Sequence, residues 1–213
     1  MKKILTVTVV ASSMILAGCA TDPTTGQQTI NKAALGALAG AAGGAAISKA
    51  TGGEKTGRDA AIGAALGAGV GLYMQQQEAK LKQQTAGTGI EVTRDPVTNN
   101  INLAIPEAIT FNVAQHNIKP ASYATLNQVA STLAQYNQTN VVVNGYASVE
   151  GNANFNQTLS QNRAIAVANY LAQQGVAQNR IRAIGHGATS KFGSAYEQNR
   201  RVELTIVAPQ QVN

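Results

Sequence analysis

The chain contains one cysteine, Cys19, and this limits how its fold can be stabilised more than any other feature does. A single cysteine forms no disulfide within its own chain, so a cross-linked scaffold is excluded. The two histidines, His116 and His186, cannot complete a cysteine–histidine metal set with it, and we expect neither a metal nor a cofactor. The fold must therefore depend on a hydrophobic core, which 213 residues with 44% hydrophobic side chains can supply.

The residues before Cys19 indicate export and lipid modification. Residues 1–3 include two lysines, and residues 4–16 form an apolar stretch that is too short to span a bilayer as a helix. The sequence Leu-Ala-Gly-Cys that ends at Cys19 resembles a bacterial lipobox. This resemblance implies a lipoprotein signal peptide at residues 1–18 and a lipidated Cys19 at the start of the mature chain.

The residue after Cys19 bears on localisation. Ala20 stands there rather than aspartate, which in lipoproteins of this kind implies the outer membrane, with the C-terminal domain in the periplasm. Several acyl chains at roughly 0.8 kcal/mol per buried methylene make a durable anchor. Residues 19–31 are polar and rich in turn-forming residues, so we expect a lipidated tether there.

Two sets of glycines at four-residue spacing dominate residues 32–84. They are Gly36, Gly40 and Gly44, and then Gly63, Gly67 and Gly71. On a helix this spacing puts each set on one face, where a second helix backbone can approach closely. A turn-rich loop at residues 51–57 separates the sets, so we expect a helical hairpin. The segment resembles the glycine-zipper regions of envelope lipoproteins.

The sequence leaves the environment of this hairpin open. Three alternatives stay open: the hairpin inserts into the membrane, with or without forming an oligomer there; it packs on itself near the membrane surface; or it is a flexible spacer. Each apolar stretch is about 16 residues, short of the roughly 20 that span a bilayer. Residues 75–84 are rich in glutamine and lysine and should continue the second helix into water, and residues 85–98 have the composition of a linker.

Residues 99–209 have the pattern of an α/β domain. Alternating or β-branched apolar residues predict four strands, and two amphipathic stretches predict helices between them. The strands are expected near residues 100–105, 139–145, 180–185 and 202–206, and the helices near 121–136 and 154–174. The order β-α-β-α-β-β predicts a sandwich in which helices cover one face of a mixed sheet.

Two motifs in this domain resemble the OmpA-like C-terminal domain. The run that starts at Asn156 follows the pattern N-x-x-L-S-x-x-R-A, and the run that starts at Asn199 reads N-R-R-V-E. The resemblance implies non-covalent binding of peptidoglycan through the diaminopimelate of its stem peptide. Lipobox, glycine zipper and OmpA-like domain together resemble the YiaD type of outer-membrane lipoprotein.

The resemblance also implies a set of peptidoglycan-binding residues. They are Arg163, Asn156, Leu159, Ser148, Tyr146 and Arg200. Arg163 suits a carboxylate because its planar guanidinium donates two parallel hydrogen bonds. Asn156, Ser160 and Arg163 form one polar stripe at the start of a helix, where free N–H groups also favour an anion.

Ser148 departs from the family pattern. The family reads G-[HY]-T-D-x-x-G, and this chain has Ser148 in place of the ligand-binding aspartate and Ala147 in place of the threonine. A serine hydroxyl accepts a hydrogen bond from an ammonium group but supplies no charge, a loss of roughly 1.5–3 kcal/mol. Glu150, two residues later, either substitutes for the aspartate or is a solvated loop carboxylate, and the sequence alone favours the second.

Two functions are consistent with these features. The first is a lipoprotein that links the outer membrane to the cell wall by binding peptidoglycan. The second is a structural or assembly lipoprotein that has weakened or lost this binding and oligomerises, or joins envelope proteins, through the glycine zipper. The net charge of +6 is spread along the chain, so nucleic-acid binding is not expected. No nucleophile–base arrangement indicates an enzyme.

Overall fold

The structure is a computed structural model that describes residues 19–21, 28–30 and 56–212, with side chains from residue 69 onward. The predicted signal peptide and the first glycine set lie outside the described residues. Two short strands lie within the predicted tether. They are β1 (Cys19–Thr21) and β2 (Gln28–Ile30), which pair antiparallel. Within the described residues, no helix combines the length and the hydropathy that crossing a membrane requires.

The second glycine set belongs to a long helix, α1 (Thr56–Thr85). The predicted continuation through residue 84 is confirmed as helix, but only part of it is exposed to water. One face of its last turns is buried, namely Met74, Gln77, Glu78, Leu81 and Thr85. This face lies against the globular domain, so α1 is part of that domain's structure and not only a connection to it.

A five-stranded mixed sheet forms the centre of the domain. Its strands are β3 (Glu91–Arg94), β4 (Ile101–Pro106), β5 (Asn140–Ser148), β6 (Ile181–Thr189) and β7 (Arg201–Val207). The order across the sheet is β3-β4-β7-β5-β6, and only the β5–β6 pair is parallel. The predicted mixed α/β sandwich is confirmed. The strand β3 was not predicted, because it falls within the expected linker at residues 85–98.

Two long helices follow strands β4 and β5 along the chain. A 3-10 turn at Pro120–Ser122 leads into α3 (Tyr123–Gln135). Helix α4 (Ala153–Gln173) begins after Asn152. The Asn152 side chain caps this helix, because it accepts a hydrogen bond from the Phe155 N–H at 3.0 Å. Two four-residue helices complete the domain, α2 (Glu107–Thr110) and α5 (Tyr196–Asn199). The hydrophobic core includes residues from α3, α4 and the inward face of the sheet, such as Leu126, Leu133, Val141, Val167, Leu171 and Leu204.

Helix α4 lies directly on the backbone of β5 and β6. A Cβ at Gly145 would come within 2.1 Å of the Ser160 carbonyl oxygen, and one at Gly185 within 2.4 Å of the Gln161 nitrogen. Only glycine fits at either position. This close packing fixes the N-terminal half of α4, which carries Arg163, against the end of β5, which carries Ser148.

Candidate functional site

Arg163 is the most deeply buried charged side chain of the candidate site, with 1% of the side chain exposed. Its Nε donates to the Gln115 carbonyl at 2.9 Å, its guanidinium lies 5.1 Å from the centre of the Phe111 ring, and its Nη2 forms an ion pair with Glu107. Burial lowers the pKa of Arg163, and the neighbouring Glu107 carboxylate opposes that effect. These contacts all join the guanidinium to other groups of the protein.

Glu107 lies between two arginines. One carboxylate oxygen pairs with Arg163, and the other lies 2.8 Å from the Nε of Arg200. The Glu107 side chain is 8% exposed, whereas that of Arg200 is 34% exposed. The backbone is held as well, because the Glu107 N–H donates to the Arg200 carbonyl at 2.9 Å. Sequence analysis missed Glu107, since it belongs to none of the motifs and is separated from Arg163 by 56 positions.

The ion pairs continue from Arg200 to the end of β5. Nη1 of Arg200 lies 2.8 Å from Oε2 of Glu150, and the Ser148 hydroxyl donates to the same oxygen at 3.2 Å. We call the series Arg163, Glu107, Arg200, Glu150 and Ser148 the ion-pair chain. Three of the residues that sequence analysis selected, Arg163, Arg200 and Ser148, are thus brought into one connected group.

Two other selected residues, Asn156 and Leu159, lie on α4 before Arg163. Asn156 is buried, and its side-chain amide donates to the carbonyls of Ser148 at 3.1 Å and Glu150 at 2.7 Å. It therefore holds the loop after β5 in place. Leu159 is buried one turn before Arg163 and has no group for hydrogen bonding, so its contribution is packing.

The ring of Tyr146 contacts residues outside the ion-pair chain. Its ring stacks on His186 with the centres 4.6 Å apart, and its edge contact with Phe192 has the centres 4.8 Å apart. In the sheet it lies opposite Arg201 of β7, and burial raises its pKa. Among the contacts that the structure describes, none joins the Tyr146 ring to the ion-pair chain.

A cleft of about 580 Å³ opens beside the ion-pair chain. Glu107 and Arg200 form part of its wall, together with Phe111, Lys119 and Glu197. Neither Arg163 nor Ser148 lines it, although both are linked to it through the ion pairs. Three half-buried cationic side chains therefore line the cleft, those of Lys119, Arg200 and Arg201. In the described part of the chain, no group of three or more acidic, histidine or cysteine side chains could hold a metal ion.

Comparison with known proteins agrees with the fold and with the motifs. The model of the OmpA family matches residues 110–203, and the model of the YMGG-like Gly-zipper matches residues 1–79. The chain is 42% identical over 208 residues to "Probable lipoprotein YiaD" of Escherichia coli K12, which covers 93% of this chain and 94% of that protein.

Two further similarities cover part of the chain. Over 111 residues the chain is 34% identical to the peptidoglycan-binding protein ArfA of Mycobacterium tuberculosis, covering 50% of this chain and 34% of ArfA. The crystal structure of a MotB-like protein from Desulfovibrio vulgaris superposes with a TM-score of 0.55, covering 63% of this chain and 94% of that one. At 18% identity this likeness concerns the fold.

Proposed function

The chain belongs to the family of the lipoprotein YiaD, and from this we propose that it binds peptidoglycan non-covalently through the stem peptide, linking the outer membrane to the cell wall. The OmpA domain supports an association with peptidoglycan in the cell envelope, as does the similarity to ArfA, a peptidoglycan-binding protein by name. The lipid anchor on Cys19, the outer-membrane location and the periplasmic position of the domain belong to the same proposal.

The ion-pair chain is the observation that carries this proposal. It gathers Arg163 from α4, Glu107 from α2 and Arg200 from the position just before β7. Ser148 ends β5, and Glu150 lies in the loop after it. Diaminopimelate carries ammonium and carboxylate groups, and a ligand of this kind needs cations and a carboxylate close together. Arginine guanidinium groups suit its carboxylates, since they donate parallel hydrogen bonds.

Glu150 supplies the negative charge that Ser148 lacks. Its side chain is 48% exposed, and it shares Oε2 with the Ser148 hydroxyl and Arg200. Sequence analysis favoured a solvated loop carboxylate here, but this arrangement supports the alternative that it left open. An ammonium group that binds near Ser148 would meet the Glu150 carboxylate within the same group of side chains.

A second function is favoured by one specific observation. Arg163 is almost wholly buried and already paired with Glu107, so it is not available to a ligand in this conformation. Together with the serine at position 148, this supports a lipoprotein that has kept the OmpA fold but binds the wall weakly or not at all. Such a protein would act by oligomerising, or by joining envelope proteins, through the glycine zipper.

Sedimentation with peptidoglycan distinguishes the two functions. The mature chain in detergent is mixed with purified sacculi of the diaminopimelate type, beside Arg200→Ala and its control Arg182→Ala, which removes an exposed arginine from β6. The proposal expects the unchanged chain and Arg182→Ala to sediment with sacculi and Arg200→Ala to stay in solution. An unchanged chain that stays in solution, but self-associates in analytical ultracentrifugation, would refute wall binding and favour the second function.

A further inference from the structure

Glu107 makes the contacts that a bound carboxylate ligand would make. One oxygen pairs with Arg163 and the other with Arg200, so a single carboxylate bridges both guanidinium groups. Glu107 comes from outside the motifs, and it precedes the segment, residues 110–203, that the OmpA family model matches. This carboxylate is therefore a property of this chain that its OmpA motifs do not account for.

The cleft beside Glu107 provides space for the side chain to move. It measures about 580 Å³, and Glu107 itself forms part of the wall. Rotation of the Glu107 side chain toward the cleft would keep the backbone in place, because the N–H of this residue stays bonded to the Arg200 carbonyl. The same rotation would free the guanidinium donors of Arg163 and Arg200 that now face Glu107.

We propose that Glu107 is an internal carboxylate that occupies the anion-binding position between Arg163 and Arg200, and that a ligand carboxylate binds by displacing it into the cleft. This inference rests on the proposed function, because the ligand meant is the carboxylate of an amino acid in the peptidoglycan stem peptide. Glu107 then sets the affinity of the site, since each binding event must first break two ion pairs.

The charges of the site agree with this role. Arg163 and Arg200 are balanced by Glu107 and Glu150, so the four side chains together have no net charge. Removing the charge of Glu107 leaves one positive charge unbalanced at the position where the ligand carboxylate binds. Attraction between this charge and a carboxylate is strong where water is excluded, as it is around Arg163.

The test measures binding of free meso-diaminopimelate to the mature chain in detergent by titration calorimetry. Glu107→Gln keeps the shape of the side chain and removes its charge, and we expect it to bind about tenfold more tightly than the unchanged protein. Glu197→Gln is the matched control, because it removes a carboxylate from the wall of the same cleft without affecting either ion pair. Equal or weaker binding by folded Glu107→Gln would overturn the inference.

A second variant covers the case in which Glu107→Gln does not fold, since removing one partner of a buried ion pair leaves an uncompensated buried charge. Glu107→Asp keeps the charge but is one methylene too short to bridge both arginines, so it should also bind more tightly. If it binds no more tightly than the unchanged chain, Glu107 is not a competitor. Sacculi are tested in parallel: if diaminopimelate binds Glu107→Gln more tightly but sacculi retain no variant, the inference stands and the proposed function fails.

Discussion

At the scale of single residues, variants at Ser148 and Glu150 test whether the Glu150 carboxylate takes the place of the aspartate expected at position 148. The Ser148 hydroxyl oxygen lies 3.2 Å from Oε2 of Glu150. An aspartate at position 148 would therefore face a second carboxylate, and the two carboxylates would tend to share a proton. We therefore expect Glu150→Gln to weaken binding to sacculi about tenfold, and the double variant Ser148→Asp with Glu150→Gln to restore it.

The measurement is the fraction of protein that sediments as a function of sacculus concentration. Glu91→Gln is the control, because Glu91 is an exposed carboxylate on β3. If Glu150→Gln binds as well as the unchanged chain, Glu150 does not hold the ammonium group. In that case the side chain would act only through its surface ion pair with Arg200, which contributes little to stability.

Gly145 gives a second prediction at this scale. Because a Cβ there would come within 2.1 Å of a backbone carbonyl of α4, Gly145→Ala must push the helix away from the sheet. Overpacking of this kind costs about 1–3 kcal/mol, which thermal unfolding followed by circular dichroism should detect as a lower Tm. Gly69→Ala is the matched control, since nothing lies within 4 Å of a Cβ at that position. Equal changes in Tm would contradict the close packing of α4.

The limits of sequence analysis at this scale are clear from Arg163 and Glu107. Arg163 could be selected because it belongs to a motif of fixed spacing, and the structure places it in a connected group with Arg200 and Ser148. Glu107 could not, because its role depends on a contact across 56 positions of the chain. Tyr146 was selected from the motif that also contains Ser148, yet its ring stacks on His186, because the sequence does not specify where each side chain is directed.

At the scale of secondary-structure elements, the strongest patterns were predicted correctly and the weak ones were not. β4 and β7 alternate buried and half-buried residues along their whole length, which is the pattern that predicted them. β3 has four residues and only one buried side chain, Val92, so its polar sequence resembles a linker. It is a strand because β4 offers it a free edge, and that information lies in another part of the chain.

The docking of α1 was missed for a related reason. Met74, Glu78 and Leu81 lie at helical spacing, but the glutamines and lysines around them dilute the apolar pattern. Two contacts with the domain show how this helix docks. The Glu78 carboxylate pairs with Arg94 of β3 at 3.0 Å, and the rings of Tyr73 and Tyr136 meet edge-on with their centres 5.1 Å apart. Contacts with the domain, more than the helix's own sequence, therefore hold this end of α1.

This docking predicts that a residue of the glycine-zipper helix stabilises the globular domain. Leu81 is fully buried, so Leu81→Ala should lower the free energy of unfolding by about 2–5 kcal/mol. Leu72 lies on the same helix but is 50% exposed. Leu72→Ala should therefore change the free energy of unfolding by less than about 0.5 kcal/mol. Urea unfolding followed by circular dichroism measures both, and equal effects would show that α1 does not share the core of the domain.

At the scale of the whole molecule, the proposed function requires two independent attachments, one at each end of the chain. The lipid on Cys19 would hold the protein in the outer membrane, and the ion-pair chain would hold it on the wall. Because α1 is packed against the domain from Val70 onward, this part of the helix belongs to the same packed unit as the proposed wall-binding site.

The two attachments predict distinct fractionation results. Cys19→Ala should leave the outer-membrane fraction but still sediment with sacculi, because the OmpA domain is unchanged. Arg200→Ala should stay with the membrane and be absent from sacculi that have been stripped of lipid with detergent. The double variant should be found in the soluble periplasmic fraction, since neither attachment remains. Separation of cell envelopes by density, followed by detergent extraction of sacculi and immunoblotting, gives all three results.

Arg182→Ala is the control for the wall attachment, and it should behave like the unchanged protein in both fractions. A Cys19→Ala variant that stays in the outer membrane would contradict the lipid anchor and point to the glycine-rich segment as the membrane attachment. If Arg200→Ala instead remains on detergent-washed sacculi, the wall is held by groups outside the ion-pair chain. The two outcomes are separable because each variant removes one attachment and leaves the residues of the other untouched.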